Sequence, residues 1–165
     1  MKARIVRIHA AGGPEVLRIE SADLPDPAAG EVTIRHTAIG FNFQDIYTRS
    51  GLYPAPMPTG LGTEAAGVVE KVGPGVTDFK VGDRVMSRHP VGACAELGNA
   101  KAELCDKIPD AMSFESAGVF RGAYQTAYHA LLQRGRLVAG EWVLVHGAAG
   151  GIGIAAIQVA KLFGA

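Results

Sequence analysis

Two stretches of the chain hold residue types at spacings from which chemistry can be built. Near the C-terminus, Gly147-Ala-Ala-Gly-Gly-Ile-Gly153 puts Ala148, Gly150 and Gly153 at the GxGxxG spacing, with alanine in the first glycine's place. Glycines there let the backbone come close to a pyrophosphate, and a helix starting at the loop offers it free N–H groups and a partial positive charge. Earlier, Gly40-Phe-Asn-Phe-Gln-Asp-Ile-Tyr-Thr-Arg-Ser-Gly-Leu-Tyr53 sets Asn42, Asp45 and Arg49 at helical spacing, where they can share a face. Phe43, Tyr47 and Tyr53 are interleaved with them, so polar and aromatic side chains cluster there.

The remaining chemical candidates are bland. His9, His89 and His129 lack metal-ligand spacing, and no Ser-His-Asp order with a nucleophile elbow is present. His36 falls on the apolar face of a predicted strand and reads as a packed, hydrogen-bonded core histidine. Lys101, Lys107 and Lys161 read as solvated. Cys94 and Cys105 form no C-x-x-C pair and read as reduced, structural thiols.

Elements must hold these two stretches in place. Trp142-Val-Leu-Val-His146 is an apolar, β-rich run before the glycine loop, and Ile154-Ala-Ala-Ile-Gln-Val-Ala-Lys-Leu-Phe163 after it has helical character. That order is a dinucleotide-binding βα unit. Upstream, strands are predicted over residues 3–9, 16–20, 31–39 and 61–73, with another entered through Gly82-Asp83. Turn signals every eight to twelve residues argue a small β-barrel. Gly98-Asn99 is expected to interrupt a strand beginning near Ala93. Ser113 reads as the N-cap of a helix running to about Leu132, with Gly135 as its stop.

Composition bounds the classes. At 165 residues with 48% hydrophobic content, the chain allows one ordinary domain, or a small one plus part of another. Sixteen basic and sixteen acidic residues cancel, which argues against nucleic acid or an anionic membrane as partner. Glycine at 22 and proline at 9 favour short strands over a helical bundle. The N-terminus has no apolar signal core and no stretch reaches transmembrane length, so a cytoplasmic protein is expected.

Gly140-Glu141, Leu144, Ala148-Ala149-Gly150-Gly151, Gly153, Gln158 and Lys161 stand at the spacing of the quinone oxidoreductase (zeta-crystallin-like) fingerprint within the medium-chain dehydrogenase/reductase superfamily. The stretch from Gly40, Gly62-Thr-Glu-Ala-Ala-Gly and Val81-Gly-Asp-Arg-Val resemble further motifs of that family, in the same order. The resemblance implies a mostly β GroES-like barrel over residues 1–112. Residues 113–165 would be a linking helix and the first βα unit of an incomplete Rossmann domain. It also implies NADPH as cofactor, with NADH as the alternative, and a quinone or other electron-poor acceptor as substrate. A homodimer is expected for the complete protein.

Carried over residue by residue, Ala149, Gly150, Gly151, Ile152 and Gly153 would contact the cofactor's phosphates. Asn42 and Asp45 would approach the nicotinamide end as catalytic residues, Thr126 would sit near it, and Tyr47 and Tyr53 would line the substrate pocket. Zinc-dependent relatives place cysteine and histidine where this chain has Asn42 and Thr63, neither of which is a competent zinc ligand, so no zinc is expected. An enoyl-thioester reductase on the same scaffold, and a non-catalytic barrel with a vestigial nucleotide loop, are the rival readings. Family members are roughly twice as long, so this chain is expected to be a fragment. Residues 142–146 would then form a strand with exposed edges, and NADPH binding by the chain alone would be weak or absent. Arg121 and the Gly98-Asn99 pair depart from the family's pattern.

Overall fold

The computed structural model describes residues 1–165, which divide into two compact units, Met1–Gly118 and Val119–Ala165. In the first unit, β1 (Lys2–Ile8) pairs antiparallel with β2 (Arg18–Asp23) on one side and with the two-residue β4 (Thr59–Gly60) on the other. A second sheet runs in the order β7 (Leu97–Lys101), β3 (Glu31–Gly40), β5 (Glu64–Val72), β6 (Arg84–Arg88), β8 (Cys105–Lys107). Its pairings are all antiparallel. Two helices complete the unit, α1 (Phe43–Ser50) and the short α2 (Phe114–Gly118).

Alternation along β3 drives its burial. Val32 and Ile34 are wholly buried and pack with Val69, Val85, Ala100 and Cys105, flanked by Val72, Val76 and Phe79. Irregularities in the β3–β5 register after Thr33 and after His36 shift the strand's facing, as an extra residue in one strand does. Thr33 is therefore buried too, its hydroxyl donating to Asn99 Oδ1 at 2.7 Å. A second cluster, Ala66, Ile108 and Ala117 with Met86, Met112 and Phe114, seats α2 against the sheet. Arg84 ties down the segment leading into it, donating to the carbonyls of Pro109, Asp110 and Met112 and lying 4.6 Å from the Phe114 ring centre.

Three expectations need correcting. Gly98-Asn99 does not interrupt a strand but lies inside β7. A Cβ at Gly98 would stand 2.9 Å from His36 Cε1 and 3.2 Å from His89 Cε1, so glycine makes room for two imidazoles, while Asn99 joins Thr33 to the Pro25 carbonyl. The helix after Ser113 is not continuous. It breaks at Val119 (φ −119°, ψ 2°), resumes as α3 (Phe120–Tyr128) and widens into a π turn over His129–Arg134. The third correction is that residues 142–146 form no strand, because no neighbouring strand takes up their backbone N–H and C=O groups.

The second unit is held by α3 and α4 (Gly151–Leu162), whose Ala127, Ala155 and Val159 are buried together among Tyr124, Leu131 and Leu132. The Tyr124 hydroxyl hydrogen-bonds Gln158 across the same pair. Phe120 stacks on Tyr124 with ring centres 4.1 Å apart. No helix of the chain is long and apolar enough to cross a membrane.

Candidate functional site

The stretch after β3 becomes a site because two buried carboxylates hold one asparagine. Asn42 is the extended N-cap of α1 (φ −121°, ψ 159°), and Gly51 ends that helix in the left-handed region at φ 84°. Asp45, in the first turn, is 3% exposed. Its Oδ2 accepts the Asn42 backbone N–H at 2.8 Å and its Oδ1 accepts the Gly62 N–H at 2.8 Å. One side chain thus caps the helix and pins the loop that leads into β5. Glu64, the first residue of β5 and 4% exposed, accepts the Asn42 side-chain Nδ2–H at 2.8 Å through Oε1.

Gly40 permits this arrangement. A Cβ there would lie 2.4 Å from the Gly118 carbonyl oxygen and 2.5 Å from Glu64 Cγ, distances that side chains do not adopt. The Glu64 carboxylate reaches Asn42 only because β3 ends in a residue without a side chain. Burial, followed by the nearby Asp45 charge, pushes the Cys94 thiol up to about 11. Cys94 is therefore protonated at neutral pH and is no nucleophile.

The aromatic residues gather on the same helix and the loop that follows it. Tyr47 and Tyr53 have ring centres 5.3 Å apart at 60°, and Phe43 lies 6.2 Å from Tyr47. Phe43 and Tyr53 are exposed, as are Phe41 and Leu52 close by in the chain. These rings present flat apolar faces to solvent rather than filling the core.

In the same unit, the half-buried His36 and the buried His89 meet edge to face, with ring centres 5.1 Å apart. His36 Nδ1 sits 2.8 Å from the Ala95 carbonyl oxygen, so the proton is on Nδ1, while Nε2 is buried with no partner. His89 Nε2 is 2.9 Å from the Ser87 hydroxyl. Burial lowers both, and the neighbouring His36 adds to the effect on His89, which falls to about 4. Both are neutral and structural at physiological pH, in agreement with the sequence reading of His36.

In the second unit, the glycine loop stands open. Gly147 is left-handed at φ 68°, and Gly150 is the extended N-cap of α4. A Cβ at Gly153 would meet the Gly147 carbonyl oxygen at 2.4 Å, so this glycine lets the loop fold onto the helix. A Cβ at Gly151 would meet nothing within 4 Å, so this position faces open space. The first intrahelical bond is Ile154 N–H to the Gly150 carbonyl at 2.9 Å. The N–H groups of Gly151, Ile152 and Gly153 have no backbone partner, and Ala149, Gly150, Gly151 and Ile152 are exposed. This cradle fits a pyrophosphate. Thr126 is exposed, but its hydroxyl donates back to the Gly122 carbonyl at 2.7 Å.

Residues 28–138 match the alcohol dehydrogenase GroES-like domain family. The chain belongs to that family. It is 46% identical over 164 residues to a quinone oxidoreductase of Pseudomonas aeruginosa, covering 98% of this chain and 50% of that protein. A crystal structure of Escherichia coli quinone oxidoreductase complexed with NADPH matches with a TM-score of 0.92 at 44% identity, over 98% of this chain and 50% of that one. The human synaptic vesicle membrane protein VAT-1 homolog-like protein matches with a TM-score of 0.96 at 38% identity, over 99% of this chain and 54% of that one. The chain spans about half the length of the curated relatives it matches.

No three His, Cys, Asp or Glu side chains come together in a way that could hold a metal ion. Where metal-holding relatives are expected to carry ligands, this chain presents an amide, Asn42, held between carboxylates that are already engaged. Sequence reasoning named Asn42, Asp45, Tyr47 and Tyr53 and the structure gathers all four in the first unit. It missed Glu64 as the partner of Asn42. A glutamate set among Ala65, Ala66 and Gly67 at a buried strand position was the available signal, because charge is buried only with a partner.

Proposed function

We propose that the chain contributes the barrel and phosphate loop of a zinc-free, NADPH-dependent reductase whose acceptor is a quinone. One observation carries the reading. Nearly the whole chain matches a quinone oxidoreductase structure complexed with NADPH, and the open loop at 147–153 has the cradle a pyrophosphate needs. The first-turn N–H groups of Gly151, Ile152 and Gly153 would hold the phosphate oxygens, with Ala149 and Gly150 keeping the approach clear. When bound, NADPH supplies a hydride.

In this reading the protein's task is placement. Tyr47 and Tyr53 would provide flat faces for a planar acceptor, and Asn42, the N-cap of the same helix as Tyr47, a polar group. Asp45 acts as a positioning residue, since both its oxygens are engaged by backbone N–H groups. In this reading Thr126, exposed on its helix, would lie on the cofactor side. Quinones suit such a site because they accept reducing equivalents without strong acid assistance, whereas an enoyl thioester would need a proton donor at its α-carbon.

The test is NADPH oxidation by the complete gene product carrying this chain, with a quinone and with a 2-enoyl-CoA as competing acceptors. Faster turnover of the quinone is expected, and preference for the enoyl-CoA would overturn the substrate. Tyr53→Ala is expected to raise KM for the quinone about tenfold and to leave KM for NADPH within about twofold. An unchanged quinone KM removes Tyr53 from the pocket.

A further inference from the structure

The backbone from His89 to Glu96 connects the two imidazoles to the loop that Asp45 pins. Along that loop, His89 N–H donates to the Thr63 carbonyl at 2.8 Å, Ala93 N–H to Gly62 at 3.0 Å and Cys94 N–H to Leu61 at 2.8 Å. Gly62 in turn donates its own N–H to Asp45 Oδ1. The end of the segment is held elsewhere. His36 donates its backbone N–H to the Glu96 carbonyl at 3.0 Å and its ring Nδ1–H to the Ala95 carbonyl at 2.8 Å, while Val6 N–H donates to the Cys94 carbonyl. His89 therefore begins the segment, His36 grips its end, and their rings meet in between.

This pair has no means of holding a proton while closed. His36 Nε2 is buried without a partner, so an added N–H there would have nothing to donate to. His89 Nε2 meets the Ser87 hydroxyl at 2.9 Å, and β7 leaves neither ring room to turn, since Gly98 lies against both. No carboxylate acts on the rings; burial does, and for His89 the charge His36 would carry. The nearby charges are engaged elsewhere or neutral. In β3, Arg35 pairs with Glu70, and beyond Ala95, Glu96 pairs with Arg4. Glu64, after Thr63, accepts from Asn42, and the Cys94 thiol is uncharged. Arg88, beside His89, is exposed and of the same sign, and β5 sets Gly67 opposite His36.

We propose that His36 and His89 form an acid latch on the site: with both rings neutral, residues 89–94 stay closed on residues 61–63, and a proton taken up from solvent by either ring parts the two, loosening Gly62 from Asp45 while the sheet core stays folded. Opening lets water solvate the imidazolium, which the closed pair cannot do. Only the contacts between 89–94 and 61–63 must break, whereas the Val32, Ile34, Val69 and Val85 cluster contains neither histidine. The sign follows from the lowered values of the closed rings. Closure is complete above about 6.5, the value of an exposed histidine, and is lost as pH falls toward the closed-state values. The latch rests on this chain's geometry and holds whatever ligand the site takes.

The test is amide hydrogen exchange on the 15N-labelled 165-residue chain between pH 7.5 and pH 5, corrected for intrinsic rates. The amides of Gly62, His89, Ala93 and Cys94 report the latch, and those of Val69 and Ile108, bonded to the Asp83 and Arg84 carbonyls, report the sheet. Protection of the latch amides is expected to fall about tenfold per pH unit below 6.5, the slope of one proton taken up on opening. It should also stay at least about tenfold below that of Val69 and Ile108 at every pH, the mark of a local opening. The double substitution His36→Gln with His89→Gln removes the titrating groups and is expected to hold latch protection within about twofold across the range. Latch amides that exchange as slowly as Val69 and Ile108, or a slope unmoved by the double substitution, overturn the proposal. Should that variant not fold, the wild-type ring carbon signals decide. Titration of His36 or His89 in step with the loss of Gly62 protection supports the latch, and titration with Gly62 protection constant overturns it.

Discussion

The second unit of the chain is the richer in apolar residues, yet it buries them less well than the first. In Met1–Gly118, side chains such as Val32, Ile34 and Val85 are wholly buried, and even the charged Asp45 and Glu64 are inside with their partners. In Val119–Ala165, Trp142 is fully exposed, and Leu144 and Leu162 are more than four-fifths exposed. The five strands of the larger sheet in the first unit take up one another's hydrogen bonds, whereas the run at 142–146 has the residues of a buried strand and no neighbour to pair with it. Apolar content alone therefore does not make a core. A core also needs paired backbone.

That contrast can be broken by mutation. Ile34→Ala is expected to destabilise the first unit by about 4 kcal/mol, through lost transfer energy and a residual cavity between the strands. Urea unfolding followed in β3 and β5 would measure it, and a loss under about 1 kcal/mol would mean the core is loosely packed. Asp45→Ala comes next, at about 3 kcal/mol, because it leaves two N–H groups, those of Asn42 and Gly62, without their acceptor. Asp45→Asn, which retains one acceptor oxygen, should recover part of this. Neither substitution should alter amide exchange in α4 of the second unit, and coupled loss there would show that the units unfold as one.

Acid sharpens the contrast further. Burial holds the folded-state values of His36 and His89 below 6.5, with His89 at about 4. The unfolded chain thus takes up protons first as pH falls, so stability is full above about 6.5 and declines as pH drops toward 4. A loss of about 2 kcal/mol between pH 7 and pH 5 is expected from His89 alone, at roughly 1.4 kcal/mol per pH unit. His89→Gln should flatten that part of the profile, and an unchanged slope would assign acid sensitivity to other groups. The smallest effect is expected for Trp142→Ser, within about 0.5 kcal/mol, since a fully exposed side chain has no packing to lose. Its readout is sedimentation, where less self-association is expected as exposed apolar surface is removed.

Several features were legible in the residues alone. The strand over 31–39, the helix from Asn42 to Gly51 and the glycine loop at 147–153 each carry a strong local signal: alternation, a terminal glycine in the left-handed region, or close glycine spacing. Gly98-Asn99 was misread because glycine in a strand ordinarily marks a break, and nothing local reveals two imidazoles across the sheet. The unpaired run at 142–146 was misread for the converse reason. Its composition is that of a strand, but pairing is a property of its neighbours.

For this protein, the sequence by itself determined which residue types are available: amide in place of thiolate at Asn42, tyrosines at helical and loop positions, and glycines where a phosphate would approach. It also placed the chain in its family, because those motifs recur in a fixed order along the backbone. Only the tertiary structure decided what they do to one another. Glu64 lies 22 residues from Asn42 and reaches it because β3 and β5 pair with Gly40 opposite Glu64. That register, set by burial across the whole sheet, gives the Asn42 amide its carboxylate partner. Local sequence specifies a hydrogen-bonding group, and long-range packing specifies its direction.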